Sequence, residues 1–167
     1  MGKPATTDTR EIIVEILLDL EKGQDFSHKL IKAVLDKYDY LDPRDKAFIK
    51  RVTEGTIERQ LELDYYLNRF SSVPVRKMKS LIRCLLRMST YQILYMYAVP
   101  DSAVCNEACK IAAKRGFRTL KGFVNAVLRN ISRSKDKMPL PDPADPVKDF
   151  SGKYSMPEWI VNLWLPV

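Results

Sequence analysis

Glycine, histidine and cysteine are scarce in this chain, and each shortage removes a class of function. Its 6 glycines form no G-x-G-x-x-G run and no loop that could cradle a phosphate, which excludes a nucleotide-binding domain. The single histidine, His28, lies far in sequence from Cys84, Cys105 and Cys109, and no two of these cysteines have C-x-x-C spacing. No metal site is therefore expected. Three thiols, an odd number, placed inside expected helices read as buried free cysteines of a reducing, cytoplasmic compartment. No paired-carboxylate motif occurs, so no residue is assigned a catalytic role. The N-terminal stretch Met1–Arg10 has no apolar core, and no secretion signal is expected. The apolar run Leu81–Tyr97 carries Arg83, Arg87 and Gln92 and is too short and too charged to span a membrane. No stretch alternates with period two for long enough to argue a strand. The expected class is all-α.

What is present is charge, and it is unevenly placed. The formal net charge is +7 over 167 residues, a length that suits one domain or two small ones. From Asp8 to Val75 there are 11 Lys/Arg against 14 Asp/Glu, and from Arg76 to Lys137 there are 14 against 3. A segment of net +11 beside one of net −3 points to a polyanionic partner, most often nucleic acid. The rival is a basic surface that serves solubility alone.

The helical period runs through most of the chain. Residues 1–8 read as an arm, and Thr9 can cap a first helix with Ile13, Ile16, Leu17 and Leu20 inward, ended by Gly23. Ser27 can cap a second, with Leu30, Ile31, Val34, Leu35 and Tyr38 inward. Asp42-Pro43-Arg44-Asp45 opens a third, with proline at the first helical position, and Gly55 falls inside it at a cost of ~1 kcal/mol against alanine. Leu61, Leu63, Tyr66, Leu67 and Phe70 continue the period after a kink near Glu62. Ser71-Ser72-Val73-Pro74 breaks it. Leu81–Tyr97, apolar on most sides, is expected at the centre of a bundle. Pro100 stops it, and Asp101 or Ser102 can cap the next helix, whose inward residues are Val104, Ala108, Ile111 and Ala112. Leu120, Phe123, Val124, Val127, Leu128 and Ile131 then recur at helical spacing without a miss. Residues 1–137 are therefore read as one unit with halves at about 9–73 and 74–137. Residues 138–167 are read as a proline-rich strap, with four prolines between Met138 and Val147, followed by an amphipathic start at Pro157-Glu158-Trp159.

Three groups of residues could carry chemistry. Lys110, Lys114, Arg115, Arg118 and Lys121 cluster around Gly116, with Arg129 two turns beyond, and fixed cations of this kind suit phosphate. Phe117 could stack a base if exposed, or pack as a staple at the helix start. Glu107 and Asn125 are polar residues in helices that pack together, and they read as structural groups satisfying helix ends or each other. Cys84 beside Arg83 and Arg87 would be reactive as a thiolate; a buried thiol with arginines at the rim is the plainer reading.

The segments Leu85-Leu86-Arg87-Met88-Ser89-Thr90-Tyr91-Gln92-Ile93-Leu94, Val99-Pro100, Asn106-Glu107-Ala108 and Phe123-Val124-Asn125-Ala126-Val127-Leu128-Arg129 resemble the NusB-like family of RNA-binding domains over roughly Thr9 to Arg133. The resemblance implies a NusB-like antitermination-factor fold, two antiparallel three-helix subdomains. It also implies one of two functions. One branch is the free-standing antitermination factor, which binds boxA RNA with ribosomal protein S10. The other is the N-terminal domain of Sun/RsmB-type methyltransferases, which make 5-methylcytosine in 16S ribosomal RNA from S-adenosylmethionine. Three features favour the second: Arg129 where the free factor usually has an acidic residue, the proline-rich strap, and Tyr154-Ser155-Met156-Pro157-Glu158-Trp159-Ile160, which looks like an entry into the catalytic part. Only Lys3 and Arg10 stand where the free factor has an arginine-rich arm.

The chain is accordingly read as the RNA-binding domain of such a methyltransferase without its catalytic domain, which would make Val167 a truncation point. On this reading the fragment is no enzyme and binds no cofactor, S-adenosylmethionine belonging to the full-length parent. Its partners would be RNA, 16S ribosomal RNA above all, and the missing catalytic domain, with no membrane and no DNA. The alternatives are the antitermination factor and a helical protein-interaction domain without RNA.

Overall fold

The computed structural model describes residues 8–23 and 27–137. The proposed strap, the Pro157–Trp159 helix start and the N-terminal arm up to Thr7 lie outside the described residues, as does the side chain of Ser27. The described residues form seven α-helices joined by turns: α1 (Thr9–Glu21), α2 (Ser27–Lys37), α3 (Pro43–Glu58), α4 (Gln60–Phe70), α5 (Ser80–Tyr95), α6 (Asp101–Lys114) and α7 (Lys121–Ser134). Short 3-10 turns fall at Val75–Lys77, Arg118–Leu120 and Lys135–Lys137. Among the described residues there is no strand, as the missing period-two alternation predicts.

Helix α5 is the axis. It packs on α1, α3 and α4 on one side and on α6 and α7 on the other. Leu81, Ile82, Cys84, Leu85, Leu86, Met88 and Ile93 are buried along it, and so are Arg87, Ser89, Thr90 and Gln92. The helix ends at Tyr95, two residues before the sequence reading placed its end. Proline at position 100 bars helix at Val99. The chain turns through a bond from the Val99 amide to the Met96 carbonyl (3.0 Å), which buries Met96 and leaves Tyr97 87% exposed.

Three local expectations are corrected. Asp8, rather than Thr9, caps α1: its carboxylate accepts from the Arg10 amide at 2.9 Å. Neither Asp101 nor Ser102 caps α6, because Pro100 holds the cap position with no side-chain bond. Asp101 sits in the first turn, and its carboxylate accepts from the Ser132 hydroxyl (2.6 Å) and pairs with Lys135 (2.9 Å), tying α6 to the end of α7. The break between α3 and α4 comes at Arg59 rather than near Glu62. Glu62 is instead buried in α4, where it accepts from Arg59 (3.0 Å) and from the Tyr95 hydroxyl, and the Arg59 guanidinium lies 4.3 Å over the Tyr95 ring. Burial, with the Glu62 carboxylate next in weight, pushes the Tyr95 phenol well above the usual tyrosine range.

Asp42 caps α3 through the Arg44 amide (2.8 Å), with Pro43 in the first turn. Gly55 is buried against α5, where Tyr91 fills the space a side chain would need.

Candidate nucleic-acid interface

The turn between α6 and α7 positions the basic cluster. Gly116 takes φ 90°, a left-handed conformation in which a side chain is strained. The Phe117 amide reaches back to the Ala112 carbonyl (2.8 Å) and the Gly116 amide to Ala113 (3.4 Å). This paired closure satisfies the last carbonyls of α6 and turns the chain sharply. Phe117 packs half-buried on the core, as the staple reading expects.

The six cations singled out from sequence divide into two groups. Lys114 bonds Glu11 at 3.0 Å, and Arg115 pairs with Glu15. Both carboxylates belong to α1, so part of the basic excess is neutralised by the acidic half of the same chain. Arg118 and Lys121 are exposed, and among the described residues neither forms an ion pair. Lys121 joins Lys110 and Arg129 along a groove of about 560 Å³ between α6 and α7, with Asn106, Cys109 and Asn125 as the other polar lining.

Glu107 and Asn125 do not bond each other. Glu107, half-buried, pairs with Lys110 one turn along α6 (3.2 Å). Asn125 accepts from Arg129 Nε (3.2 Å), and Arg129 Nη2 also donates to Asn106 (3.5 Å). Asn106 carried no signal in the sequence beyond its place in the Asn106-Glu107-Ala108 segment. Its position follows from how α6 and α7 cross.

Cys109 forms the groove's inner edge, its thiol donating to the Lys121 carbonyl at 3.7 Å. Burial raises its pKa, although Lys121 and Arg129 act in the opposite direction. Cys84 is buried beside Arg83 and Arg87, and burial pushes its thiol up to about 12. The two arginines are committed elsewhere. Arg83 makes a bidentate pair with Glu21 (2.7 and 2.8 Å), and Arg87 makes one with Asp64 (2.7 and 2.8 Å) plus a third bond to Glu21 (3.2 Å). Arg87 is thus a buried cross-link between α1, α4 and α5 and no activator of a nucleophile. Among the described residues no group of three or more His, Cys, Asp or Glu could hold a metal, and no helix is long and apolar enough to cross a membrane.

The NusB family signature matches residues 7–133. The chain belongs to the NusB family. It is 37% identical over 159 residues to a probable ribosomal RNA small subunit methyltransferase B of Bacillus subtilis (strain 168), a match covering 95% of this chain and 35% of that protein. It is 33% identical over 104 residues to the transcription antitermination protein NusB of Kineococcus radiotolerans, covering 62% of this chain and 76% of that one. The chain therefore spans about a third of the length of the methyltransferase it resembles. Among solved structures, NusB of T. maritima superposes with a TM-score of 0.70 at 23% identity, over 80% of this chain and 93% of that one. NusB from a complex of antitermination factors NusB and NusE with double-stranded RNA gives 0.68 at 15% identity, over 75% and 94%. At these identities the likeness shows the fold, and the fold expected from sequence is the one found.

Proposed function

We propose that the chain is the RNA-binding N-terminal domain of an S-adenosylmethionine-dependent 16S ribosomal RNA cytosine-C5 methyltransferase. The observation that carries this reading is the extent of the similarity. The family signature ends at residue 133, whereas the match to the Bacillus methyltransferase takes in 95% of the chain and so continues past it. The domain would hold a ribosomal RNA segment while a catalytic domain acts on one cytosine. The cations without internal partners on α7 and the turn before it would meet the phosphates. By itself the chain would transfer no methyl group and bind no S-adenosylmethionine, since its glycines build no cofactor loop.

Two measurements test it. Reading the gene beyond Val167 should reveal a methyltransferase catalytic domain in frame; a stop codon directly after Val167 would favour an antitermination factor instead, the reading supported by the Kineococcus relative. Filter binding of the chain to 16S ribosomal RNA fragments should show retention that falls with added salt. Absence of binding at low salt would leave the third reading, a helical protein-interaction domain.

A further inference from the structure

We infer that the groove between α6 and α7 is a receptor for a backbone phosphate of RNA, with the side-chain amides of Asn106 and Asn125 as ligands beside Lys110, Lys121 and Arg129. The inference rests on the RNA-binding reading above and names the group that this one site takes. Arg129 stands between the two asparagines and donates to the amide oxygen of each, at 3.2 Å for Asn125 and 3.5 Å for Asn106. An asparagine side chain has one oxygen acceptor and two N–H donors. With both oxygens turned to Arg129, the N–H groups of both amides are left for another acceptor, and both residues line the groove.

The side chains lining the groove are then three cations and two amide donors. The Cys109 thiol is itself a donor, engaged by the Lys121 carbonyl. The neighbouring carboxylate, Glu107, is outside the lining and holds Lys110 from the side at 3.2 Å. A base edge that carries an amino or imino group would leave that donor unmet here; the acceptor-only O6/N7 edge of guanine is the exception, and the neutral-backbone oligonucleotide below tells it from phosphate. A phosphodiester offers acceptors alone, so its oxygens match this lining, and charge-assisted bonds to it are the strong kind. Gly122 lines the same groove, and open space stands where its side chain would be, which leaves the approach clear. Lys114 and Arg115 lie outside this lining and already have carboxylate partners.

The test follows the side-chain NH2 resonances of Asn106 and Asn125 by NMR in the 167-residue chain. A single-stranded 16S ribosomal RNA oligonucleotide should shift both signals. The same sequence with a neutral methylphosphonate backbone should shift neither. Asn106→Asp and Asn125→Asp keep the side-chain shape and give Arg129 a carboxylate partner, but they set a negative charge against the phosphate. Each should weaken RNA binding by about tenfold or more. Unmoved amide signals on binding, or unchanged affinity in both folded variants, would overturn the groove as a phosphate receptor while wild-type binding kept the RNA reading intact. Wild-type protein that binds no RNA would defeat the RNA reading. Inorganic phosphate then decides the groove: saturable shifts of both amides support it, and none overturns it. If a variant does not fold, the wild-type titrations still decide.

Discussion

Gly55 and Tyr91 share one space at the crossing of α3 and α5. A side chain at position 55 would collide with the ring end of Tyr91, Cζ, Cε2 and the hydroxyl oxygen alike. The glycine that costs helix stability is there because the tyrosine of the next half of the chain occupies its side-chain position.

The first prediction follows from that crossing. Gly55→Ala adds helix propensity worth ~1 kcal/mol, but it forces a buried ring out of its place at a cost of about 1–3 kcal/mol. Net destabilisation is expected, read from urea unfolding. In a Tyr91→Ala background the clash is gone, and the same change should become neutral or stabilising. Equal effects in both backgrounds would refute the packing account.

The second concerns the buried arginine. Arg87 is 9% exposed and held by Asp64 and Glu21. Asp64→Ala leaves it with one carboxylate, and a loss of about 2–3 kcal/mol is expected, below the full cost of orphaning a buried charge because Glu21 remains. Thermal or denaturant unfolding would measure it.

The third is a pH dependence with a definite sign. The hydrogen bond from Arg83 is the main reason Glu21 titrates below the usual carboxylate range, with the charges of Arg83 and Arg87 adding to it against the opposing effect of burial. A carboxylate whose folded pKa is depressed stabilises the fold above its unfolded pKa, and that contribution disappears as the pH falls through the folded value. Stability should therefore drop below about pH 4, and Glu21→Gln should flatten that part of the curve. An unaltered acid limb in the variant would count against the network.

The fourth concerns the thiols. Cys84, Cys105 and Cys109 are buried, and burial raises the pKa of all three. An aromatic disulfide reagent at neutral pH should label none of them in the native protein and all three in denaturant. Rapid native labelling of Cys84 would revive the reactive-thiol reading.

The fifth separates the two groups of cations by salt dependence. Each phosphate neutralised on single-stranded RNA contributes ~0.7 to the log–log slope. Arg118→Ala with Lys121→Ala should flatten the slope by about 1.4. Lys114→Ala with Arg115→Ala should change it by less, because Glu11 and Glu15 already neutralise those cations. Equal flattening in the two pairs would show that RNA displaces the α1 glutamates.

The helices were legible in the residues, to within a cap or a turn, because their signals are local. The period along α7, the Asp42-Pro43 start of α3 and Gly23 after α1 each act within a few residues, where backbone sterics and side-chain direction decide. The same holds for α5 at the centre, since a helix apolar on most sides has no stable place elsewhere. Which cations meet carboxylates of a distant helix is settled only when the helices pack. Lys114 meets Glu11 across 103 positions and Arg87 meets Asp64 across 23, and no periodicity encodes either distance. From sequence Lys110, Lys114 and Arg115 look alike. Once α1 lies beside the end of α6, two of them face its carboxylates and the third faces a groove. Asn106 and Asn125 gained their common orientation in the same way, from the crossing of α6 and α7 that puts Arg129 between them.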